Sequence, residues 1–193
     1  MKKLRRVLLF SFCIAIICAL SACNLSSISD FKNYSSTIYS DFSSDIAEEI
    51  KEKGELYGPY KVTRVVDGDT IVVKINGEEI KVRLIGVNTP ESVSNDESKN
   101  CEEGVIVSDY MKTMLTNEDV YLEYDEEQYD KYERTLAYVY WNGMMVNRIL
   151  IMNGYATTMT VKPNTKYADM FKEEQKKAKE NGIGFWGSST IWD

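Results

Sequence analysis

Downstream of residue 59 apolar and polar positions alternate in short runs. Tyr60 to Val66, Thr70 to Ile75 and Glu79 to Ile85 each carry the two-residue period of a half-buried strand. Asn76-Gly77 separates the second and third runs and predicts a tight hairpin, because the favoured two-residue turn needs positive φ at both positions. The period then lengthens. Gly104 to Leu115 reads as a helix with Val105, Ile106, Tyr110 and Met114 as its apolar stripe and Asn117 closing it. Val120 to Tyr124 and Thr135 to Trp141 return to strand character around the acidic loop Asp125 to Glu133, and Asn142-Gly143 marks the next turn. Met145 to Asn153, closed by Gly154, predicts a short helix, and Lys166 to Glu180, closed by Asn181-Gly182, a longer one.

Three strands, a helix, two strands and two helices fit an α+β, mainly β fold: a five-stranded OB-fold barrel with three helices packed at one end. With 193 residues, 44% of them hydrophobic, the chain can bury one ordinary core. The domain is expected over residues 58–193. Upstream, Met1-Lys2-Lys3-Leu4-Arg5-Arg6 is basic and an apolar run from Val7 to Leu20 leads into Leu20-Ser21-Ala22-Cys23. This run is shorter than the roughly 20 residues of a spanning helix. Residues 1–22 read as a signal peptide, and the small residues before Cys23 resemble the lipobox of bacterial lipoproteins, which makes Cys23 the expected lipidation site. A plain secretory signal or an uncleaved anchor is the alternative, and each also exports the chain. Residues 23–57, rich in Ser, Asp and Asn with a weak helical pattern from Asp45 to Lys53, are expected to be a tether. The resulting localisation is the outer face of the cell membrane.

Charge and rare residues then narrow the chemistry. The formal net charge is −7, and loss of Lys2, Lys3, Arg5 and Arg6 with the leader takes it to about −11. A polyanion would therefore be held by a few local cations and a metal rather than by a global field. No histidine is present, which excludes His-based triads, His-ligated zinc and an imidazole base. Once Cys13, Cys18 and Cys23 are set aside, Cys101 is the remaining thiol, and no imidazole is available to activate it. The Lys and Glu run from Lys172 to Glu180 reads as a solvated helix face.

The candidate chemistry lies in Val66-Asp67-Gly68-Asp69-Thr70 and in Arg83 to Glu91, with Asn88-Thr89-Pro90-Glu91 ending the latter. Asp67 and Asp69 could be only a tight turn; two carboxylates flanking a glycine also repel unless a cation or donor offsets them, and hard cations want several oxygens. Arg83 reads either as a surface arginine or as a phosphate ligand. Pro90 stiffens the turn that would gather the Asn88 oxygen, the Thr89 carbonyl and the Glu91 carboxylate. Arg134, in Asp130-Lys131-Tyr132-Glu133-Arg134, either pairs with a neighbouring acid or joins Arg83 in a bidentate phosphate clamp.

These segments, with Asp130-Lys131-Tyr132-Glu133-Arg134-Thr135-Leu136-Ala137-Tyr138-Val139-Tyr140 and Met145-Val146-Asn147, recur in that order in the staphylococcal nuclease family, which the chain resembles from about Tyr60 to Trp186. The resemblance implies calcium-dependent hydrolysis of DNA or RNA to products with 3′-phosphates. Carried over by position, Asp69 would be the main calcium ligand, with Asn88 and the Thr89 carbonyl beside it and Asp67 behind them. Glu91 would orient or deprotonate the attacking water. Arg83 and Arg134 would bind the scissile phosphate, and Lys131 and Tyr132 would contact the terminal phosphate or sugar. The chain departs from the family pattern in carrying Asn88 in place of an aspartate, Glu133 and Thr135 in place of glycines, and Met159 and Val161 in place of two tyrosines of the nucleotide pocket. A monomer with no obligate protein partner is expected. A weakly catalytic nucleic-acid-binding module and an adhesion lipoprotein are the competing functions, favoured by the acidic charge; Glu91 beside two arginines favours the enzyme.

Overall fold

The computed structural model describes residues 55–92, 101–188 and 191–192. The leader, Cys23, the pattern at Asp45 to Lys53 and most of the loop from Ser94 lie outside the described residues. The first strand, β1 (Leu56–Val65), carries a register shift between Val62 and Arg64 where it pairs with β2 (Thr70–Ile75). Thr63 is the extra residue of this bulge. That is why Val62 and Val65, three apart, are both buried when strict alternation would turn one outward. Asn76 (φ 52°) and Gly77 (φ 92°) make the expected turn into β3 (Glu78–Leu84).

After the three-residue β4 (Gly86–Asn88) comes helix α1 (Glu102–Leu115), then β5 (Asp119–Glu123), β6 (Thr135–Trp141) and β7 (Met144–Met145). Helix α2 (Val146–Met152), β8 (Thr157–Met159), α3 (Ala168–Glu180) and a one-turn α4 (Phe185–Ser188) complete the order. Antiparallel pairs join β3 to β2, β2 to β1, β1 to β5 and β5 to β6. A parallel pair, with Val82 opposite Thr135, Arg83 opposite Leu136 and Leu84 opposite Ala137, joins β6 back to β3. Five strands thus close into a barrel, as the element order predicted, with β7 appended to β6 and β4 paired with β8 outside the ring.

The interior is filled from every strand, including Val62, Ile71, Val73, Val82, Leu84, Val120, Leu122 and Val139, all at most 1% exposed. One end is covered by α1. Its inward residues are Gly104, Val107, Ser108, Met111, Met114 and Leu115. Val105 and Ile106, expected on the apolar stripe, are instead exposed. Residues three and four apart share a helix face, so the row through Val107, Met111 and Met114 leaves 105 and 106 on the outside. Full burial of an aliphatic side chain such as Val107 contributes about 1.5–3 kcal/mol. Asn117, at φ 62°, ends the helix as expected of asparagine in that conformation.

Two buried polar groups fix the helices to the barrel. Asn147, fully buried on α2, accepts from the Val139 amide at 2.9 Å and donates to the Ile85 carbonyl at 2.7 Å. It thereby ties α2 to β6 and to the chain just beyond Arg83. Glu123, 2% exposed at the end of β5, accepts from the Tyr140 hydroxyl at 2.5 Å, from Tyr167 at 3.0 Å and from Lys166. A buried carboxylate without such partners would cost several kcal/mol, roughly the penalty of an uncompensated charge.

Candidate active site

The turn between β1 and β2 presents Asp67 and Asp69, and its local bonds explain the sequence there. The Asp67 Oδ1 accepts the Asp69 amide at 3.0 Å, the aspartate turn that such side chains form two residues on. The Asp69 carbonyl accepts the Leu84 amide at 2.9 Å, which fastens the turn to β3. Gly68 is required by space: a Cβ there would lie 2.6 Å from Thr89 Oγ1 and 2.7 Å from Val107 Cγ1. The turn is therefore wedged between the chain after β4 and the first half of α1.

Asp69 is the hub. It is 7% exposed, and its Oδ2 contacts Arg83 Nη2 at 2.8 Å and accepts the Thr89 amide at 3.2 Å, while its Oδ1 accepts from Thr70 Oγ1 at 3.2 Å. Burial outweighs the neighbouring guanidinium and, with Asp67 close by, pushes the Asp69 carboxyl up to about 6. An additional cation would relieve that cost. Arg83 is equally buried, and it also donates to the Leu84 carbonyl at 2.5 Å and the Val87 carbonyl at 2.9 Å. The surface-arginine reading of Arg83 is thus excluded. Its guanidinium is held by one carboxylate and two carbonyls, and removing either partner of this buried pair costs about 3–5 kcal/mol.

Asn88 is half-buried at the end of β4, where it pairs with Thr157, and its carbonyl accepts from Thr157 Oγ1 at 3.4 Å. Glu91 is exposed. Its backbone, however, is anchored to α1: the Glu91 carbonyl accepts the Cys101 amide at 3.1 Å, and a Cβ on Gly104 would approach that carbonyl to 2.2 Å. Gly104 in the first helical turn is thus a positioning residue that motif reading passed over, although a glycine inside a helix is a recognisable sign of close backbone approach.

Arg134 arrives from the opposite direction. The next residue, Thr135, pairs with Val82, and Leu136 lies opposite Arg83, so Arg134 falls on the same side of the β3–β6 pair as Arg83 by strand alternation. Its guanidinium is held by Asp130, with Nε and Nη2 each 2.7 Å from Oδ2. Asp130 also accepts the amides of Tyr132 (2.9 Å) and Arg134 (3.0 Å) through Oδ1. Burial raises the Asp130 carboxyl, but these bonds together hold it below the usual range. Asp130, not Arg83, is therefore the direct partner of Arg134. Lys131 and Tyr132 are exposed on the loop, with the Lys131 ammonium 5.0 Å from the Tyr132 ring centre and the Arg134 guanidinium at 5.5 Å. Glu133 holds φ at 60°, a conformation natural to the glycine it replaces.

The structure thus joins Asp67, Asp69, Arg83 and Thr89 through direct contacts. Asn88 and Glu91 flank Thr89 in the chain, and Arg134 stands on the adjoining strand. Among the described residues no three carboxylate or thiolate groups converge as a ready metal cage. Asp69 offers one buried carboxylate, and Thr89, whose amide it accepts, and Asn88 before it carry neutral oxygens; oxygens of this kind are the ones a hard divalent cation takes.

A closed five-stranded barrel with Asp69, Arg83 and Arg134 on or beside its strand ends has the OB-fold architecture. Its sequence relatives make this specific. The family model described as staphylococcal nuclease homologue matches residues 81–188, which include Arg83, Glu91 and Arg134. The chain is 41% identical over 129 residues to the thermonuclease of Staphylococcus hyicus, covering 67% of this chain and 76% of that one. It is 42% identical over 127 residues to the thermonuclease of Staphylococcus intermedius, covering 66% and 75%. Endonuclease YncB of Bacillus subtilis is 37% identical over 130 residues, 65% of this chain and 60% of that one. The chain belongs to the staphylococcal nuclease family and is a nuclease of that type.

Proposed function

We propose that this nuclease hydrolyses DNA or RNA in a calcium-dependent reaction that leaves 3′-phosphates, and that it works at the outer face of the cell membrane, tethered through lipid on Cys23. The observation that carries the catalytic part is the buried contact of Asp69 with Arg83 and Thr89 at the barrel rim. Asp69, the Asn88 amide oxygen and the Thr89 carbonyl would hold the ion, with Asp67 fixing the turn behind them. Bound calcium would supply charge stabilisation to the phosphate oxygens. Glu91, exposed and anchored through its backbone, would orient a water or take its proton. Arg83 and Arg134 stabilise the phosphate as charge builds, and Arg134 supports the leaving oxygen by hydrogen bonding, since a guanidinium remains protonated. Lys131 and Tyr132 contact the end of the bound strand.

The test is digestion of single-stranded DNA by the purified protein with calcium. Activity is expected to vanish with chelator and to fall about 100-fold or more in Glu91→Gln, within the range for loss of a general base. Intact DNA after long incubation with calcium overturns the enzyme reading; a retained gel shift would then select the binding module. For the anchor, fatty-acid labelling is expected to disappear in Cys23→Ala, and persistent labelling would refute lipidation there.

A further inference from the structure

Cations gather on one outer wall of the barrel. Alternate residues of β1, β2 and β3 fill the core, so the others face out: Lys61 and Arg64 on β1, Lys74 on β2, Glu79 and Lys81 on β3, all exposed. The bulge at Thr63 puts Lys61 and Arg64, three apart, on the same face. Register sets these residues in two rows. Lys61 lies opposite Lys74 and Lys74 opposite Glu79; Arg64 lies opposite Val72 and Val72 opposite Lys81. Val72 is buried, which leaves Arg64 and Lys81 as the exposed chemistry of the second row.

The acids of this wall are engaged elsewhere. Lys61 meets Asp119 of β5 at 2.7 Å, and Glu79 accepts from Thr63 Oγ1 at 2.9 Å. Among the described residues Arg64, Lys74 and Lys81 make no ion pair. Like charges directly opposite one another, as Lys61 and Lys74 are, weaken a sheet. A row that opposes the fold in this way is expected where function requires it.

The wall runs into the site. Lys81 comes two residues before Arg83 on β3, on the same face and about 7 Å along the strand, and Thr70, opposite Arg83, donates to Asp69. Arg64 leads through Val65 and Val66 into the turn that carries Asp67 and Asp69. A nucleic acid with one phosphate at Arg83 therefore meets Arg64 and Lys81 next, and Lys74 about 7 Å further on. We propose that Arg64, Lys74 and Lys81 form a second phosphate-binding wall, which holds the backbone beyond the bond that is cut and does so without regard to base sequence. Its part in cleavage rests on the nuclease reading, whereas its affinity for the backbone stands apart from it.

Two measurements on the full chain test this. In chelator, binding of a fluorescein-labelled thymidine oligonucleotide of about 15 nucleotides is followed by anisotropy across a salt series. Each phosphate contact to a single strand contributes about 0.7 to the slope of log K against log salt. Arg64→Gln, Lys74→Gln and Lys81→Gln together should lower that slope by about 2 and weaken binding by up to about 100-fold at about 0.1 M salt, with an unchanged circular dichroism spectrum. Lys176→Gln, Lys177→Gln and Lys179→Gln make the same change of charge on α3 and should bind as the parent does. An unchanged slope in the first variant, or an equal loss in the second, overturns the proposal. With calcium, kcat/KM of the first variant should fall about tenfold or more on the long oligonucleotide and stay at the parent value on a trinucleotide, which is too short to span the wall. Equal losses on both substrates put these residues in the reaction itself and refute a wall beyond it. A parent chain that cleaves neither substrate while the slope still drops in the first variant sinks the nuclease reading and leaves the wall standing.

Discussion

Gly68→Ala adds one methyl group at the tightest point of the site. The new Cβ would lie 2.6 Å from Thr89 Oγ1, 2.7 Å from Val107 Cγ1 and 2.8 Å from Thr89 Cβ. Carbon atoms settle at about 3.5–4.0 Å, so both neighbours must retreat by roughly an ångström. Neither has room: Val107 is fully buried and Thr89 is 4% exposed. Overpacking of this kind costs about 1–3 kcal/mol, or roughly 3–10 °C in Tm for a domain of this size. Because the Thr89 amide donates to Asp69 Oδ2, its displacement also removes a hydrogen bond to a buried charge, worth about 1.5–3 kcal/mol. Activity of the folded fraction should fall about tenfold or more. Urea denaturation of Gly68→Ala, Val107→Ala and the double variant isolates the steric part. Vacating the Val107 methyls makes room, so the double variant should be about 1 kcal/mol or more stabler than additivity predicts. Strict additivity, or a Gly68→Ala variant that melts with the parent, would refute the packing argument.

Glu133→Gly should raise stability by about 0.5–1 kcal/mol, because Glu133 occupies φ 60°, and should lower KM by removing an acid beside the phosphate path; an unchanged melting temperature counts against it. Asn88→Asp should tighten calcium several-fold, on the order of the gain from one added formal charge at an ion site, in an isothermal titration; no gain would remove Asn88 from the ligand set. The buried Asp69 carboxyl, raised from 3.8 to about 6, keeps its proton in the fold where the unfolded chain has released it. Between about pH 4 and 6 the fold therefore binds more protons, and without calcium this group's contribution to stability falls as pH rises. Calcium needs the carboxylate, so the Tm increment that it confers should shrink below about pH 6; a constant increment down to about pH 5 would contradict the assignment.

Local features of the chain were the legible ones. Asn76-Gly77 and Asn142-Gly143 each hold two positive-φ residues, and Asn117, Gly154 and Gly182 each follow a helix in the left-handed region. Their backbone demands are met by a few residue types, so sequence alone reveals them. The three-residue strands β4 and β8 have no such signature: they exist because Gly86 to Asn88 meets Thr157 to Met159 across some 70 residues. The helix stripe was misplaced because Val105 and Ile106 are as apolar as Val107 and Met111, and phase is decided by what the barrel mouth covers. At the site the acids and arginines could be named, and so could a neighbouring acid as the partner of Arg134, which is Asp130. That Arg83 would be held by Asp69 and two carbonyls follows from burial and register, which local sequence does not carry. Glu123 looked like an ordinary acid in Val-Tyr-Leu-Glu-Tyr; its burial depends on Tyr140, Lys166 and Tyr167, all distant in sequence.

The parallel pairing of β6 with β3 has a temporal meaning as well as a spatial one. Val82 and Thr135 are partners separated by more than fifty residues, and the antiparallel hairpins on either side can form without them. The β1–β5 pairing spans a still longer stretch of chain, so Arg83 and Arg134 come onto neighbouring strands only through the long-range pairings of the barrel and not through either local hairpin.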